Sequence, residues 1–363
     1  MTGPALDIIV PVHDARRPVA RLAASVLSFN TTPLRLTFVC HGLGAGPIAD
    51  ALGPVAADPR VRLIEFDDGE RSPAGPFLEG LARATAPLVM KIDSDDTLEP
   101  GAVDAWMRLA RAHRADIVIC RMRSVSADRE WATPPVRPIG HRRRDPIKDR
   151  LSYRTSTMGI IDRELMRTAP PVRGIRTGED IESSIRLWFS GATIVLADSA
   201  PAYLVHDDGS DRATAPRGVV EEFAWLEAMR ASGYAADLPL AARRSIGTKL
   251  IRVQLFGAVT ARTAHLTEGD LVEFASIAAT LAELSGGIPP WLSRADHDLL
   301  AALLGGRSAA ERIVELAARR RRFGSPVTIL PPRLRWTLHR EAPVRMMLAT
   351  FVASRRRTRR RTG

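Results

Sequence analysis

Apolar, β-branched runs of strand length recur in the N-terminal part of the chain, and a segment of helical periodicity separates each run from the next. The predicted strands are residues 6–12, 34–40, 61–66 and 87–92, and the helices between them are residues 19–29, 48–52 and 76–84. Nearly continuous apolar strands are typical of a parallel sheet that is buried on both faces. This alternation therefore predicts an α/β fold, with a mostly parallel sheet flanked by helices.

The pattern changes further along the chain. We predict helices at residues 101–113 and 179–189, strands at residues 116–122, 192–196 and 202–206, and a turn into a helix at residues 156–166. Beyond about residue 216 only helices follow, at residues 219–231, 240–261, 270–284, 295–304, 309–322 and 344–353. A chain of 363 residues is longer than one hydrophobic core usually serves, which indicates more than one domain. We expect an α/β domain over residues 1–215, an all-helical domain over residues 216–325 and a basic tail over residues 326–363.

An acidic motif, Asp93-Ser94-Asp95-Asp96, stands where the fourth predicted strand ends. Ligands of open α/β sheets bind outside the carboxyl ends of the strands. Carboxylates this close repel one another unless a cation or hydrogen-bond donors compensate. A divalent cation that also binds substrate phosphates is the simplest compensation. The plain structural alternative is that Asp96 or Thr97 caps the next helix.

Further motifs follow this one in a defined order. The set comprises Ile8-Ile9-Val10-Pro11-Val12-His13-Asp14, Asp93-Ser94-Asp95-Asp96, Gly178-Glu179-Asp180 and the segment Tyr203…His206…Ser210. Together they resemble an inverting family 2 glycosyltransferase of the GT-A fold, over roughly residues 6–215. The resemblance implies a Rossmann-like domain that binds a nucleotide sugar and transfers the sugar with the help of a metal ion. The helical remainder carries no such resemblance.

For the acidic motif, the resemblance implies a division of roles. Asp95 is the first choice for a ligand of Mn²⁺ or Mg²⁺, and His206 is a second, since an imidazole nitrogen is an acceptable ligand for Mn²⁺. The metal would neutralise the charge that develops on the leaving diphosphate. Asp93 is assigned to the nucleotide sugar, and Asp96 supports its neighbours or binds the donor sugar. A structural histidine is the alternative for His206.

Asp180 is the implied catalytic base. Inversion needs one carboxylate to take the proton of the acceptor hydroxyl as that oxygen attacks the anomeric carbon. The alternative is that Glu179 and Asp180 merely suit the first turn of a helix.

The other matching residues are assigned to binding of the donor. The alternative is that they only form turns and helix caps. They are Pro11, His13 and Asp14 after the first strand, His41 after the second, Arg71 before the third helix, and Ser210 and Arg212 in a polar turn. Two departures from the family leave the nucleotide open. His41 stands where many members have acidic residues, and it cannot accept hydrogen bonds as a carboxylate does. The usual Arg-Asn pair before the fourth strand is absent, so Arg71 is the candidate replacement.

Positive charge is concentrated near the C-terminal end. Fourteen arginines and one acidic residue lie between Arg319 and Gly363, whereas the net charge of the whole chain is +11. Apolar residues at 344–352 precede the arginine cluster at 355–361, which predicts binding to an anionic membrane surface. Nucleic acid is a rival partner, against which two observations argue: aromatic residues are not interleaved with the tail arginines, and no reader motif is visible. A disordered, solubilising tail is the third interpretation.

These observations together predict a metal-dependent inverting glycosyltransferase. We expect it to move a sugar from a nucleotide-diphosphate donor, a UDP-sugar first, to a cell-envelope glycan or a lipid-linked acceptor. A GDP- or dTDP-sugar is the nearest alternative, and a non-catalytic binding or scaffold module is the alternative from another class.

The apolar runs are too short for a transmembrane helix, and Cys40 and Cys120 are expected to be buried thiols. We expect a cytoplasmic protein, peripheral at the inner face of the cell membrane, and a homodimer through the helical domain.

Overall fold

The computed structural model describes residues 3–130, 136–137, 143–207, 217–306 and 309–361, with side chains up to Val352. These residues form two compact units. The first contains residues 3–130, 143–144 and 155–207, and the second contains residues 136–137, 145–154, 217–306 and 309–361. Residues 145–154 therefore pack with the helical unit although the chain around them belongs to the first. The predicted domain boundaries after residues 215 and 325 stay a prediction.

The first unit is built on two sheets. In chain order, the strands are β1 (Leu6–Val12), β2 (Leu34–His41), β3 (Val61–Phe66), β4 (Leu88–Lys91), β5 (Thr97–Leu98), β6 (Ile117–Ile119), β7 (Met122–Ser124), β8 (Arg129–Glu130), β9 (Gly159–Asp162), β10 (Ile194–Leu196) and β11 (Tyr203–Val205). The larger sheet has the order β10-β6-β9-β4-β1-β2-β3, and the smaller has the order β5-β11-β7-β8. The larger sheet is parallel except at β9, which confirms the predicted fold class.

Helices flank this sheet, as the apolar spacing indicates. They are α1 (Val19–Leu27), α2 (Ala45–Leu52), α3 (Ala74–Ala82), α4 (Ala102–His113), α5 (Arg163–Thr168) and α6 (Glu179–Phe189), with a 3₁₀ turn at Gly53–Ala57. In α1 the buried residues are Val19, Leu22, Ala23, Val26 and Leu27, which form one helical stripe. The stripe belongs to the same core cluster as the buried residues of β1 and β2. This packing fixes the loops at the carboxyl ends of the strands, where the motifs lie.

Strand β9 differs from the prediction, which had a turn into a helix at residues 156–166. It runs antiparallel between β4 and β6. Gly159 has φ +146°, and a Cβ there would lie 2.1 Å from the carbonyl oxygen of Val118. Asp162 ends the strand and caps α5, since its carboxylate accepts a hydrogen bond from Leu165 N over 2.9 Å. A four-residue apolar run beside a helix start is too short for periodicity to distinguish strand from helix.

The second unit is helical. Its helices are α7 (Val219–Glu222), α8 (Ala224–Ser232), α9 (Tyr234–Asp237), α10 (Leu240–Lys249), α11 (Phe256–Arg262), α12 (Glu268–Leu284), α13 (Arg294–Leu304), α14 (Ala310–Arg320), α15 (Pro326–Ile329) and α16 (Pro343–Arg361), with a π-helical stretch at Leu250–Leu255 and 3₁₀ turns at Leu151–Tyr153 and Leu334–Trp336. The predicted helix at residues 240–261 is thus interrupted, and the last helix is longer than predicted. Over the described part of the chain, no helix is long and apolar enough to cross a bilayer.

A buried polar network explains why residues 145–154 join this unit. The Arg150 guanidinium donates to the Arg340 carbonyl oxygen over 2.6 Å and 3.0 Å. Tyr153 Oη donates to Glu341 Oε2 over 3.3 Å, and Arg252 Nη1 donates to the Glu341 carbonyl oxygen over 2.7 Å. Glu341 is 1% exposed. Burial raises its pKa, although Arg252 and Arg150 oppose this shift.

Candidate active site

The acidic motif forms a tight turn at the carboxyl end of β4, which lies beside β1 near the middle of the larger sheet. The Asp96 backbone N–H donates to the Asp93 carbonyl oxygen over 3.0 Å. The chain then enters β5 instead of a helix, and α4 begins only after Gly101. Thr97 therefore lies in a strand, and the turn points the three carboxylates in different directions.

Asp96 is the buried member of the motif, with 5% of its surface exposed. Its carboxylate accepts hydrogen bonds from Tyr203 Oη over 2.7 Å and from the His206 backbone N–H over 2.9 Å. Burial, together with the nearby charge of Asp93, raises the pKa of Asp96 to about 7 despite these donors. Asp96 thus organises the motif from the inside and connects it to β11.

His206 lies next to the motif because β11 pairs antiparallel with β5. In this register Tyr203 is opposite Leu98 and Leu204 is opposite Thr97. His206 Nε2 lies 2.8 Å from Thr97 Oγ1. The structure thus brings His206 to the acidic turn, from a position more than a hundred residues later in the chain.

Asp95 lies against α1. Arg17 forms an ion pair with its carboxylate, and Arg21 Nη2 donates to its carbonyl oxygen over 2.7 Å. The side chains of Arg17 and Asp95 are 12% and 20% exposed. The sequence analysis did not assign a role to Arg17, which supplies positive charge to Asp95.

Asp93 and the start of α6 meet at Lys91, the last residue of β4. Lys91 Nζ lies 3.6 Å from Asp93 Oδ1 and 3.9 Å from Glu179 Oε1. Burial opposes the charged ammonium, but the carboxylates of Asp93, Glu179 and Asp180 outweigh it and raise the pKa of Lys91. The structure thus brings the acidic motif and Glu179-Asp180 to the same cation.

Helix α6 begins at Glu179, as predicted, because Gly178 takes the left-handed conformation with φ +76°. The Val172 backbone N–H donates to the Glu179 carbonyl oxygen over 2.9 Å, which holds this helix start in place. A small pocket opens beside it, with polar and apolar lining residues Pro73, Ala74, Phe77, Lys91, Ser156, Thr157, Met166, Pro171, Glu179, Asp180 and Ser183. Asp180 and Lys91 thus line the same pocket.

His41 ends β2 and contacts the loop after β3. Its Nε2 lies 2.8 Å from Asp68 Oδ1, and Arg173 Nη2 donates to Asp68 Oδ2 over 3.1 Å. Burial opposes the charged form of Asp68, but the bond to His41 and other donors outweigh it and lower the pKa of Asp68. The loop after β3 thus places a carboxylate beside His41, a contact that the sequence alone did not predict.

The remaining sequence-predicted residues lie around the same edge or outside the described part of the chain. Pro11 lies in β1, and the exposed His13 follows it. Asp14 accepts hydrogen bonds from Arg16, which lower its pKa to about 2. Arg71 is exposed in the loop before α3. Ser210 and Arg212 lie outside the described residues.

The side chains near the motif offer atoms of the kinds that divalent cations take as ligands. Carboxylate oxygens and an imidazole nitrogen suit Mn²⁺, and Mg²⁺ usually needs only one or two carboxylates when substrate phosphates complete its shell. Asp95 and His206 carry ligand atoms of these two kinds, and each contacts a protein partner, Arg17 and Thr97 respectively. Among the described residues, a convergence of three ligand atoms occurs elsewhere, at His41, Asp67 and Asp68, whose atoms lie within 4.8 Å of one another.

Residues 7–168 match the family described as "Glycosyl transferase family 2". The chain carries a glycosyl transferase family 2 domain. This domain contains β1 to β9 and the whole acidic motif, and the chain is accordingly a glycosyltransferase with a GT-A fold. The α6 start and His206 lie beyond the matched residues but within the same unit.

Solved structures share the fold of this chain. S. aureus TarS 1-349 in complex with UDP-GlcNAc has a TM-score of 0.71 at 12% identity, covering 87% of this chain and 91% of that one. The same fragment in complex with UDP has a TM-score of 0.64 at 13% identity, with the same coverage. A longer S. aureus TarS structure has a TM-score of 0.66 at 13% identity, and 55% of it is covered. The comparison with curated proteins gives no match.

Four residues that shape this site have no role assigned from the sequence: Arg17, Asp68, Lys91 and Tyr203. For Lys91 a signal was available, because only three of the 52 basic residues are lysines. For Asp68 and Arg17 no sequence signal was specific, because their partners lie on other elements.

Proposed function

We propose that this chain is a metal-dependent inverting glycosyltransferase, which transfers a sugar from a nucleotide-diphosphate donor to a cell-envelope glycan or a lipid-linked acceptor. One observation carries the proposal. The Asp93–Asp96 turn and the Glu179-Asp180 helix start lie within one unit and meet at Lys91. Carboxylates suited to a donor and a carboxylate suited to a base are thus side by side, as a single-displacement reaction requires.

A UDP-sugar is the first candidate for the donor. The structural neighbours with UDP and UDP-GlcNAc support this choice at the level of the fold. The contact between His41 and Asp68 also supports it, because a carboxylate beside the imidazole gives this loop a stronger hydrogen-bond acceptor than His41 alone. A pyrimidine imide N–H would meet that acceptor. A GDP- or dTDP-sugar remains a donor to be compared in the same assay.

In the proposed reaction, Asp180 accepts the proton of the acceptor hydroxyl as that oxygen attacks the anomeric carbon, and the nucleoside diphosphate leaves. The position of Asp180 in the first turn of α6 favours its ionised form, since backbone N–H groups and the helix dipole stabilise negative charge there. Asp93 orients the donor, and Asp96 holds the turn and the His206 backbone. Asp95 and His206 would hold Mn²⁺ or Mg²⁺, which supplies electrostatic stabilisation of the leaving diphosphate.

The last helix supports a membrane-associated acceptor. Helix α16 is continuous from Pro343 to Arg361, so the apolar residues and the arginine cluster lie on one element. Its exposed apolar residues are Met347, Leu348, Phe351 and Val352, which recur at helical spacing. An amphipathic helix with clustered arginines binds anionic bilayers in two ways: its apolar residues are buried among the lipids, and its arginines are attracted to the anionic headgroups. The homodimer predicted for the helical domain stays a prediction.

Vesicle sedimentation tests the membrane partner. We expect the chain to sediment with vesicles that contain anionic phospholipid at physiological salt, and to stay in the supernatant with neutral vesicles. Replacing the six arginines of residues 355–361 by glutamine, or Phe351 by serine, should weaken binding. Equal sedimentation of wild type and both variants would reject this partner.

A donor screen tests the proposed reaction. We expect nucleoside diphosphate release from one of UDP-, GDP- or dTDP-sugars in the presence of Mn²⁺ or Mg²⁺, and none with a chelator. Asp95→Ala should abolish release, whereas Asp50→Ala, at an exposed position of α2, should not change it. Binding of a nucleotide sugar without any turnover would favour the scaffold alternative. Full turnover in the chelator would reject metal dependence.

A further inference from the structure

Lys91 is a largely buried cation to which neither the family motifs nor the sequence analysis assigns a role. Its side chain is 17% exposed, and its backbone lies opposite Ile9 in the parallel pair of β4 and β1. Because Lys91 ends a central strand, the backbone from which its side chain extends is held in place by the sheet. From there its ammonium reaches carboxylates on two separate elements, Asp93 after β4 and Glu179 at the start of α6.

The charges around Lys91 explain why a cation is needed at this point. The end of β4 carries Asp93, Asp95 and Asp96, and α6 begins with Glu179 and Asp180. Carboxylates brought together in a partly buried site repel one another. Arg17 and Arg21 provide positive charge on the α1 side of the motif, at Asp95. On the α6 side of the motif, Lys91 provides the positive charge.

A simple stabilising ion pair would not need this location. Lys91 lines the same pocket as Glu179 and Asp180, so the ammonium lies at the surface where a substrate group would enter. Its distances of 3.6 Å and 3.9 Å are those of a bridging charge and not of a close pair with either neighbour. A residue of this kind fixes the separation of the two elements without removing either carboxylate from the reaction.

We propose that Lys91 is a positioning residue for the transfer reaction, whose ammonium holds the Asp93 end of the acidic motif and the first turn of α6 at the separation that one donor–acceptor pair requires. This inference rests on the proposed function. It assigns Lys91 no proton transfer and no contact with the donor. Loss of the ammonium lets the two acidic elements move apart, which misplaces Asp180 relative to the anomeric carbon.

Steady-state kinetics and calorimetry on the full chain test this role. In Lys91→Met we expect kcat to fall about 100-fold, the usual effect of a misplacement of about 1 Å. The Kd for UDP with Mn²⁺ should change less than about threefold, since the donor ligands remain. Lys91→Arg keeps the charge and should recover at least about a tenth of the wild-type kcat. Lys148→Met, at an exposed lysine, is the matched control and should behave as wild type.

Three outcomes would overturn the inference. The first is wild-type kcat in a folded Lys91→Met protein. The second is a loss confined to the Kd for UDP, which would make Lys91 a donor ligand. The third is a Lys91→Arg variant as inactive as Lys91→Met. If Lys91→Met does not fold, Glu179→Gln removes one of the two contacts and should lower kcat in the same direction. A wild-type chain without turnover would instead reject the proposed function itself, together with this role.

Discussion

The hydroxyl of Tyr203 donates a hydrogen bond to Asp96 Oδ2 over 2.7 Å, and its oxygen accepts one from the Asp93 backbone N–H over 3.1 Å. Tyr203 is fully buried. One phenol therefore joins β11 to both ends of the acidic turn. This contact makes the geometry of the proposed donor site depend on a residue from a different sheet.

Tyr203→Phe removes that hydroxyl and leaves two buried polar groups without their donor or acceptor. We expect the free energy of unfolding to fall by about 1–3 kcal/mol, the usual cost of such a group. Mn²⁺ binding in the presence of UDP should weaken as well, because the turn that carries Asp95 loosens. Urea unfolding and calorimetry measure the two effects. Tyr234→Phe, in the second unit, should leave Mn²⁺ binding unchanged, and equal binding in both variants would contradict the expected role.

Arg17 and a metal ion compete for Asp95 in this account. Arg17→Gln removes the resident positive charge from a half-buried carboxylate. We therefore expect the affinity for Mn²⁺ without nucleotide to rise about tenfold, which corresponds to about 1.4 kcal/mol. Titration of Mn²⁺ followed by electron paramagnetic resonance measures this. Arg16→Gln is the matched control, since Arg16 pairs with Asp14 instead. A lower or unchanged affinity in Arg17→Gln would argue against Asp95 as a metal ligand.

Gly75 allows the carboxylate of Asp68 to approach the first turn of α3. A Cβ at this position would lie 2.0 Å from Asp68 Oδ2. Gly75→Ala should therefore displace Asp68 from His41, lower the free energy of unfolding by about 1–3 kcal/mol and weaken UDP binding. Gly46→Ala, in α2, meets no atom within 4 Å and should be neutral or stabilising. Equal UDP affinity in the two variants would exclude the Asp68 loop from the nucleotide site.

His339 makes the stability of the second unit depend on pH. Burial, with the nearby charges of Arg340 and Arg345, lowers the pKa of His339 from 6.5 to about 4. Its ring stacks on Trp291 with centroids 3.9 Å apart, and its Nδ1 accepts a hydrogen bond from the Glu341 backbone N–H over 3.3 Å. Between these two pKa values the unfolded chain binds more protons here than the folded chain. The contribution of His339 to stability is therefore complete above pH 6.5 and is lost as pH falls toward 4.

We accordingly expect wild type to lose more unfolding free energy than His339→Phe when the pH falls from 7 to 4.5. The phenyl ring keeps the stacking contact but does not titrate. Urea unfolding at several pH values measures the difference. His265→Gln, at an exposed histidine, should follow the wild-type pH dependence. Parallel curves for wild type and His339→Phe would contradict the assignment.

The sequence predicted those parts of the fold that rest on local pattern. The long apolar strands β1 to β4 and the helix start at Glu179 were found because their hydrophobic period and Gly178 are local signals. Strand β9 was not found, since its four residues have no distinguishing period and depend on pairing with β4 and β6. The alternative that Asp96 or Thr97 caps the next helix does not hold for Thr97, which pairs in a strand with β11, an element far along the chain.

The same distinction between local signals and contacts of distant elements applies to the candidate site. The roles of Asp95 and Asp180 follow from the family resemblance that the motifs carry, and they stay predictions. Their partners were not predicted, because an ion pair between Arg17 and Asp95, or a lysine shared by Asp93 and Glu179, exists only once the sheet has assembled. The contact of His41 with Asp68 is of the same kind, because it joins the end of β2 to a residue of the loop after β3.

The central claim is that Asp180 removes the proton of the acceptor in a transfer that the Asp93–Asp96 turn makes possible. The most direct measurement compares the turnover number of Asp180→Asn with that of wild type and of Asp50→Asn, with the identified donor and acceptor. We expect Asp180→Asn to lose about 10²–10⁴-fold in kcat, the range for a general base, while its Kd for the donor nucleotide stays within about threefold. Turnover at the wild-type rate in a folded Asp180→Asn protein would contradict the account.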